Sequence, residues 1–232
     1  MTAGDESRAA SAAATAADQS HAASAAATAA DQSHAASAAT ATAADQSRRG
    51  EGAAGLVLAA GEGRRFGGPK QLALLDGRPL IEHALAALAD LERVVVVLGA
   101  HAAEVRAGAD LGRAEVVVCD HWAEGMSASL RAGLAALPGV EEVVIVLADQ
   151  PSVTAAAVAR VRAAGGPAAR AVYDGVPGHP VAVRRPLLER AAELRGDAGF
   201  RTLLGDAAEV ECSDLGDPQD IDTRDDLEVV RR

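Results

Sequence analysis

The sequence predicts an α/β fold of three layers with a mainly parallel central sheet over residues 55–232, preceded by a disordered tail and linker over residues 1–54. Three observations predict it. Runs such as RVVVVL (Arg93–Leu98) and EVVIVLA (Glu142–Ala148) are apolar without alternation. That is the pattern of strands buried on both faces, as parallel sheets require. Stretches with leucine and alanine at helical spacing separate those runs, and strand–helix alternation marks a sheet covered by helices. The first fifty residues show neither pattern.

Those fifty residues are repetitive. Ser11–Ala23 reads SAAATAADQSHAA, Ser24–Ala36 repeats it unchanged, and Ser37–Arg49 is an imperfect third copy. Solenoid repeats run to about 20–50 residues and carry large apolar side chains to stack; this 13-residue repeat offers only alanine. At ~100° per residue, successive copies also rotate away from a common helical face. Alanine favours transient helix, but such a segment cannot build a core. A mobile tail, dispensable for activity, is expected, with His21 and His34 solvated. Gly50–Gly55 (GEGAAG) links it to the folded part.

The net charge is −11; five acids and three arginines fall in residues 1–50, leaving −9 on residues 51–232. An acidic chain of this kind excludes broad nucleic-acid binding, which needs a cationic surface. It leaves room for a small phosphorylated ligand in one basic pocket. Cys119 and Cys212 lie far apart without a CxxC spacing, so both are expected to be buried, unpaired thiols in a reducing compartment. The sequence has no basic n-region followed by an apolar run, nor about 18 uncharged apolar residues in succession. A soluble cytoplasmic protein with no membrane partner is expected.

The elements follow in order. Gly55–Ala59 predicts a first strand and Leu80–Leu88 a helix. Arg93–Leu98 predicts a strand, Ala102–Ala109 a short helix, and Glu115–Cys119 a strand. Met126–Leu137 predicts a helix, Glu142–Ala148 a fourth strand, and Thr154–Ala164 a further helix. Shorter strands near Arg170–Tyr173 and Pro180–Val183 are expected to cover the ligand site. In such sheets ligands bind at the carboxyl ends of the strands, which puts the loop after Ala59 and Asp149, at the end of the fourth strand, on one edge.

The loop LVLAAGEGRRFGGPKQ (Leu56–Gln71) is the strongest chemical signal. It is not a Rossmann fingerprint, because Phe66 stands where the third glycine belongs. It is not a Walker loop, because Pro69 displaces Lys70 and Gln71 follows. Its physics still suits phosphate. Glycines let backbone N–H groups close on an anion, and Arg65 and Lys70 can neutralise a triphosphate. Arg64 is expected in solvent. In IVLADQP (Ile145–Pro151), Asp149 is suited to hold Mg²⁺ or to cap a turn; Mg²⁺ takes one or two carboxylates plus phosphate oxygens. In DIDTRDD (Asp220–Asp226), Thr223 suits an N-cap and Asp222 is free to face the metal. In HWAEGMSASLRAG (His121–Gly133), Ser127 and Ser129 suit capping or hydrogen bonding to a base. GHPV (Gly178–Val181) sets His179 in a turn, and GDAGFR (Gly196–Arg201) sets Asp197 and Arg201 around a glycine.

Taken together these motifs resemble the nucleotidyltransferases that attach a nucleotide to molybdopterin, and among them the molybdenum cofactor cytidylyltransferases. LAAGEGRRFGGPKQL is similar to that group's signature loop, and GMSASLRAGL, LADQP, GHPV, GDAGFR and DIDTRDDL follow in the family's order. The likeness covers about residues 54–230. The signature loop is shared with methylerythritol cytidylyltransferases and sugar-nucleotide synthetases; GMSASLRAGL with GHPV is narrower. Ala60, in LAAG where the guanylyltransferase sibling usually has LAGG, favours cytidine.

The resemblance implies a Rossmann-like nucleotidyltransferase fold and a Mg²⁺-dependent transfer of CMP from CTP to the phosphate of molybdopterin, releasing pyrophosphate. Ala59, Ala60, Gly61 and Gly63 would hold the triphosphate by backbone groups, and Arg65 and Lys70 by side chains. Ser129 would help read cytosine. Asp149 and Asp222 would bind the metal, and His179, Asp197 and Arg201 the pterin. A molybdenum hydroxylase or its maturation factors are the partners implied. Three alternatives stay open: another nucleotide, a sugar or polyol phosphate acceptor, or a cofactor carrier for a partner dehydrogenase.

Overall fold

The computed structural model describes residues 52–216 and 219–230. The expected disordered tail lies outside the described residues, apart from its last three positions. Two of those three are already strand. β1 runs Ala53–Ala59, beginning two residues before the predicted Gly55. Ala54 pairs with Arg93 on one side and Val143 on the other and is fully buried, which fixes the earlier start.

Past the signature loop come a two-residue ribbon, β2 (Leu74–Leu75) with β3 (Arg78–Pro79), and helix α1 (Leu80–Ala87). β4 (Arg93–Leu98), α2 (Ala102–Gly108), β5 (Glu115–Val118), α3 (Met126–Ala135), β6 (Glu142–Leu147) and α4 (Ala155–Ala163) each fall where the sequence predicts them, within three residues. β7 (Ala168–Tyr173) and β8 (Val176–Arg184) follow, then α5 (Arg185–Leu188), β9 (Ala208–Glu211) and α6 (Arg224–Val230).

The seven-stranded sheet has the order β5-β4-β1-β6-β8-β7-β9. β5, β4, β1 and β6 are parallel neighbours, as are β7 and β9, while β8 is antiparallel to both β6 and β7. Here the structure corrects the sequence reading. β7 and β8 do not cover the site as short strands; they extend the main sheet. Their shared hairpin turns at Asp174, whose φ of 50 a short polar side chain tolerates. β9 had no prediction, because AEVE alternates over only four residues and its partner β7 is distant in sequence.

Two apolar clusters sandwich the sheet. Val57, Val96 and Val144 point to one face and pack under α1 and α4, through Ile81, Leu88 and Val158. Leu56, Val95 and Ile145 point to the other face, against Leu130 of α3 and Phe200. Because neighbouring residues of each central strand face opposite layers, both parities must be apolar. That is why the predicted runs lack alternation. Among the described residues, no helix is long and apolar enough to cross a membrane.

Leu56 is fully buried at the centre of this stack. Leu56→Ala should therefore lower unfolding free energy by about 2–5 kcal/mol, read as a shift of the urea midpoint with unchanged slope.

Candidate functional site

The chain leaves β1 for β4 on one side and returns to β6 on the other, so the strand order reverses between β1 and β6. A crevice at the carboxyl ends of two such strands is where open α/β sheets bind ligands. The loop after β1 and Asp149 after β6 meet there, joined by the Ala148 N–H donating to the Leu58 carbonyl at 3.1 Å.

The signature loop closes on itself. The Gly63 carbonyl accepts from the N–H groups of Gly67 (2.9 Å) and Gly68 (3.3 Å). Gly63 has a φ of 67, and a Cβ there would collide with the Gly68 carbonyl oxygen. Two residues that sequence reasoning did not single out hold the loop. Gln71 is buried and its Nε2 donates to the carbonyls of Ala59 (2.7 Å) and Gly61 (3.1 Å). His101 Nε2 lies 3.0 Å from the Glu62 carbonyl and its Nδ1 2.9 Å from Glu104. A polar residue directly after Lys70 was the available signal for Gln71; His101 gave none, lying 39 positions from its loop partner.

At the centre stands Lys70. Its Nζ donates to Asp149 Oδ2 at 2.6 Å and Asp222 Oδ1 at 2.9 Å, while Arg65 Nη2 lies 2.7 Å from Asp222 Oδ2. Burial works to lower the Lys70 pKa, but the charges and hydrogen bonds of Asp149 and Asp222 outweigh it and raise it, so the ammonium stays charged. Arg64 stands in solvent, 82 % exposed, paired with Glu62. Asp149 Oδ1 is buried without a hydrogen-bond partner. Next door, Asp220 accepts from Gln150 Nε2 at 2.6 Å; burial raises its pKa.

A cavity of 480 Å³ gathers Ala59, Ala60, Gly61, Gly63, Arg65, Lys70, Ser129, Asp149, Asp197 and Asp222. A second, of 300 Å³, is lined by His179, Asp197 and Arg201, together with the unanticipated Gln150, Arg170 and Asp220. The two share Leu58, Met126, Leu147 and Asp197 as a common wall. The structure thus brings the residues assigned by the resemblance to phosphate, base, metal and pterin to two adjoining cavities, while Ser127 lines neither.

Some local expectations change. Neither Ser127 nor Ser129 caps α3, whose N-cap is Gly125 with no side-chain cap bond. Gly125 has a φ of 105 and lies so close to Gly196 and Asp197 that a Cβ would clash with both. The GDAGFR turn therefore supplies the cap: Asp197 Oδ1 accepts from Met126 N at 3.2 Å, and Ser127 Oγ donates to the Gly196 carbonyl at 2.7 Å. Thr223 does cap α6, with its Oγ1 accepting from Asp226 N at 3.2 Å. Cys119 and Cys212 are both free and buried.

The residues present suit a divalent metal shared with a ligand. Among the described residues no cluster of three or more metal-type side chains exists, so protein side chains would supply only part of an ion's shell, with water or ligand oxygens supplying the rest. Two carboxylates meeting at one cation, with the Asp149 Oδ1 left unpartnered, match the one-or-two-carboxylate habit of Mg²⁺ and Mn²⁺ beside phosphate.

His179 is a different kind of group. Its Nδ1 is shielded from solvent with no partner, and burial pushes its pKa down to about 4 against the opposing pull of Asp149. The unfolded ring titrates near 6.5. Between those values the unfolded chain binds more protons, so stability falls as pH drops from 6.5 towards 4 and levels off below. His179→Gln should shrink the stability lost between pH 7 and 4.5 in paired denaturant melts. Gly63→Ala should weaken nucleoside triphosphate binding about tenfold or more by calorimetric titration, and the collision with the Gly68 carbonyl should lower the melting temperature as well.

A family profile for the MobA-like NTP transferase domain matches residues 55–211. The nicotine blue oxidoreductase of Paenarthrobacter nicotinovorans is 34% identical over 186 residues, covering 73% of this chain and 91% of that protein. The crystal structure of the Rv0371c homolog from Mycobacterium sp. strain JC1 is similar, with a TM-score of 0.68, 33% identity, and coverage of 77% of this chain and 94% of that one. Rv0371C of Mycobacterium tuberculosis H37Rv, in complex with manganese, matches with a TM-score of 0.65 and 31% identity, covering 77% of this chain and 97% of that one. With the profile spanning the sheet and the glycine-rich loop, the chain belongs to the MobA-like NTP transferase family and is a nucleotidyltransferase.

Proposed function

We propose that the chain transfers CMP from CTP to the phosphate of molybdopterin, giving the cytosine dinucleotide cofactor and pyrophosphate in a Mg²⁺-dependent reaction. The observation that carries the reading is Lys70 shared between Asp149 and Asp222, with Arg65 beside them. Such a set offers cations to a triphosphate and carboxylates to its metal at one strand edge.

The larger cavity takes the nucleotide, with its phosphates over Ala59–Gly63 and the base towards Ser129. The adjoining cavity takes the acceptor, where His179, Asp197 and Arg201 face the pterin. An acceptor phosphate oxygen forms the new bond to the α-phosphorus, and the α–β bridging bond breaks, with pyrophosphate carrying away the electron pair. The nucleophile is already an anion, so no strong base is needed. Lys70 and Arg65 neutralise charge on the reacting phosphates, and the loop aligns them. Mg²⁺ held by Asp149 and Asp222 supplies further neutralisation when bound. Ala60 in LAAG supports cytidine. A molybdenum hydroxylase or its maturation factors would receive the product.

One relative is named an oxidoreductase, which motivates a second reading: redox chemistry on a nicotinamide dinucleotide, whose pyrophosphate suits a glycine-rich loop at a strand end. One experiment separates them. The protein is incubated with Mg²⁺, molybdopterin and each of CTP, GTP and ATP, and pyrophosphate is followed; NADH and NADPH oxidation is followed in parallel with a redox dye as electron acceptor, and oxidation without pyrophosphate release would favour the second reading. Pyrophosphate release with CTP is expected. Release only with GTP moves the specificity to guanosine, and release with none overturns the transfer reading. Lys70→Ala should slow turnover about 100-fold or more, and Asp149→Asn should abolish it with the circular dichroism spectrum unchanged.

A further inference from the structure

Asp222 belongs to residues 219–223, which form neither strand nor helix, and which lie beyond the residues matched by the family profile. A carboxylate on irregular backbone holds its place only if something else fixes the chain. Four fastenings do so. The Ile221 N–H donates to the Asp149 carbonyl at 2.9 Å, which ties the two carboxylate-bearing segments together. Gln150 Nε2 holds Asp220 Oδ1 at 2.6 Å. Ile221 and Leu227 pack with Phe66 of the signature loop in a small apolar cluster, and the Arg224 guanidinium lies 5.1 Å above the Phe66 ring. The fourth fastening is Asp226. Its Oδ2 accepts from the N–H of Asp222 itself (3.0 Å) and of Thr223 (2.7 Å), while Thr223 Oγ1 accepts from Asp226 N (3.2 Å).

This is a reciprocal capping box at the start of α6 with one additional bond, to the residue that meets Lys70 and Arg65. The peptide groups entering and leaving Asp222 are both held by one oxygen. We propose that Asp226 is a positioning residue for the nucleotidyl-transfer site: through the capping box with Thr223, backed by the Phe66–Arg224 stack, it fixes the Asp222 carboxylate for a divalent cation. This rests on the reading of Asp222 as a metal carboxylate made above. Asp226 lines neither cavity, and it acts through the backbone it holds. Outer-shell hydrogen bonds of this type typically change metal affinity about 10–100-fold when removed.

The test reads metal binding and needs no turnover. The full-length chain is titrated with Mn²⁺ alone, and free Mn²⁺ is followed by electron paramagnetic resonance. Asp226→Ala is expected to raise the Mn²⁺ Kd about tenfold or more, with a native circular dichroism spectrum. Asp226→Asn keeps an acceptor oxygen at the same place and is expected to stay within about threefold of the parent. Thr223→Val removes the other half of the box without altering any charge and is expected to weaken Mn²⁺ in the same direction, which keeps the test alive if Asp226→Ala does not fold. A parental Kd in Asp226→Ala or in Thr223→Val overturns the proposal, as does an Asp226→Asn as weak as Asp226→Ala. Failure of the transfer reading would appear separately, as absent pyrophosphate release in the parent protein.

Discussion

One ammonium group organises the site. Lys70 Nζ sits within hydrogen-bond distance of Asp149 and Asp222, two carboxylates 73 positions apart in sequence, and Arg65 stands on the far oxygen of Asp222. Without cations between them, two part-buried carboxylates would repel. The close pairing keeps the lysine charged despite its burial. The same balance suits the site to a ligand that brings both negative phosphate and a divalent cation. Phosphate oxygens can take up Lys70 and Arg65, and the metal can take up the carboxylates.

That meeting requires three separate parts of the chain. The glycine loop must fold back after β1 so that Lys70 returns over the strand end. β6 must lie beside β1 so that Asp149 arrives next to it, which follows from their parallel pairing. The segment after β9 must then cross back over the site to deliver Asp222. Only the first of these is a local matter. The other two depend on sheet order and on the fastening of residues 219–230 to the signature loop.

The parts legible in sequence were those whose physics is local. The valine runs of β4 and β6 carry their double-sided burial in their composition, and the helix boundaries follow from apolar spacing. The glycines and cations of residues 61–70 identify an anion grip, and Thr223 identifies a cap. The less legible parts depended on distant partners. Ser127 looked like a cap because hydroxyls near a helix start commonly act so, yet the cap comes from Asp197, 71 residues away from Met126. β7 and β8 looked like a cover because their runs are short, yet pairing of β8 with β6 draws them into the sheet. Gln71 gave only its place after Lys70 as a signal, because an amide reveals its partners only once the carbonyls of Ala59 and Gly61 are placed.

The sequence by itself determined the α/β class, the glycine-rich loop with its cations, and most of the charged residues that the two cavities gather. Apolar patterning and backbone permissiveness are properties of short segments, so a single chain displays them without its fold. The tertiary structure alone decided which carboxylates share Lys70, that the two cavities share a wall through Asp197, and that Asp226 bonds the backbone of Asp222. Those outcomes arise from distance and burial between residues remote in sequence, and such distances exist only after the sheet has set its strand order.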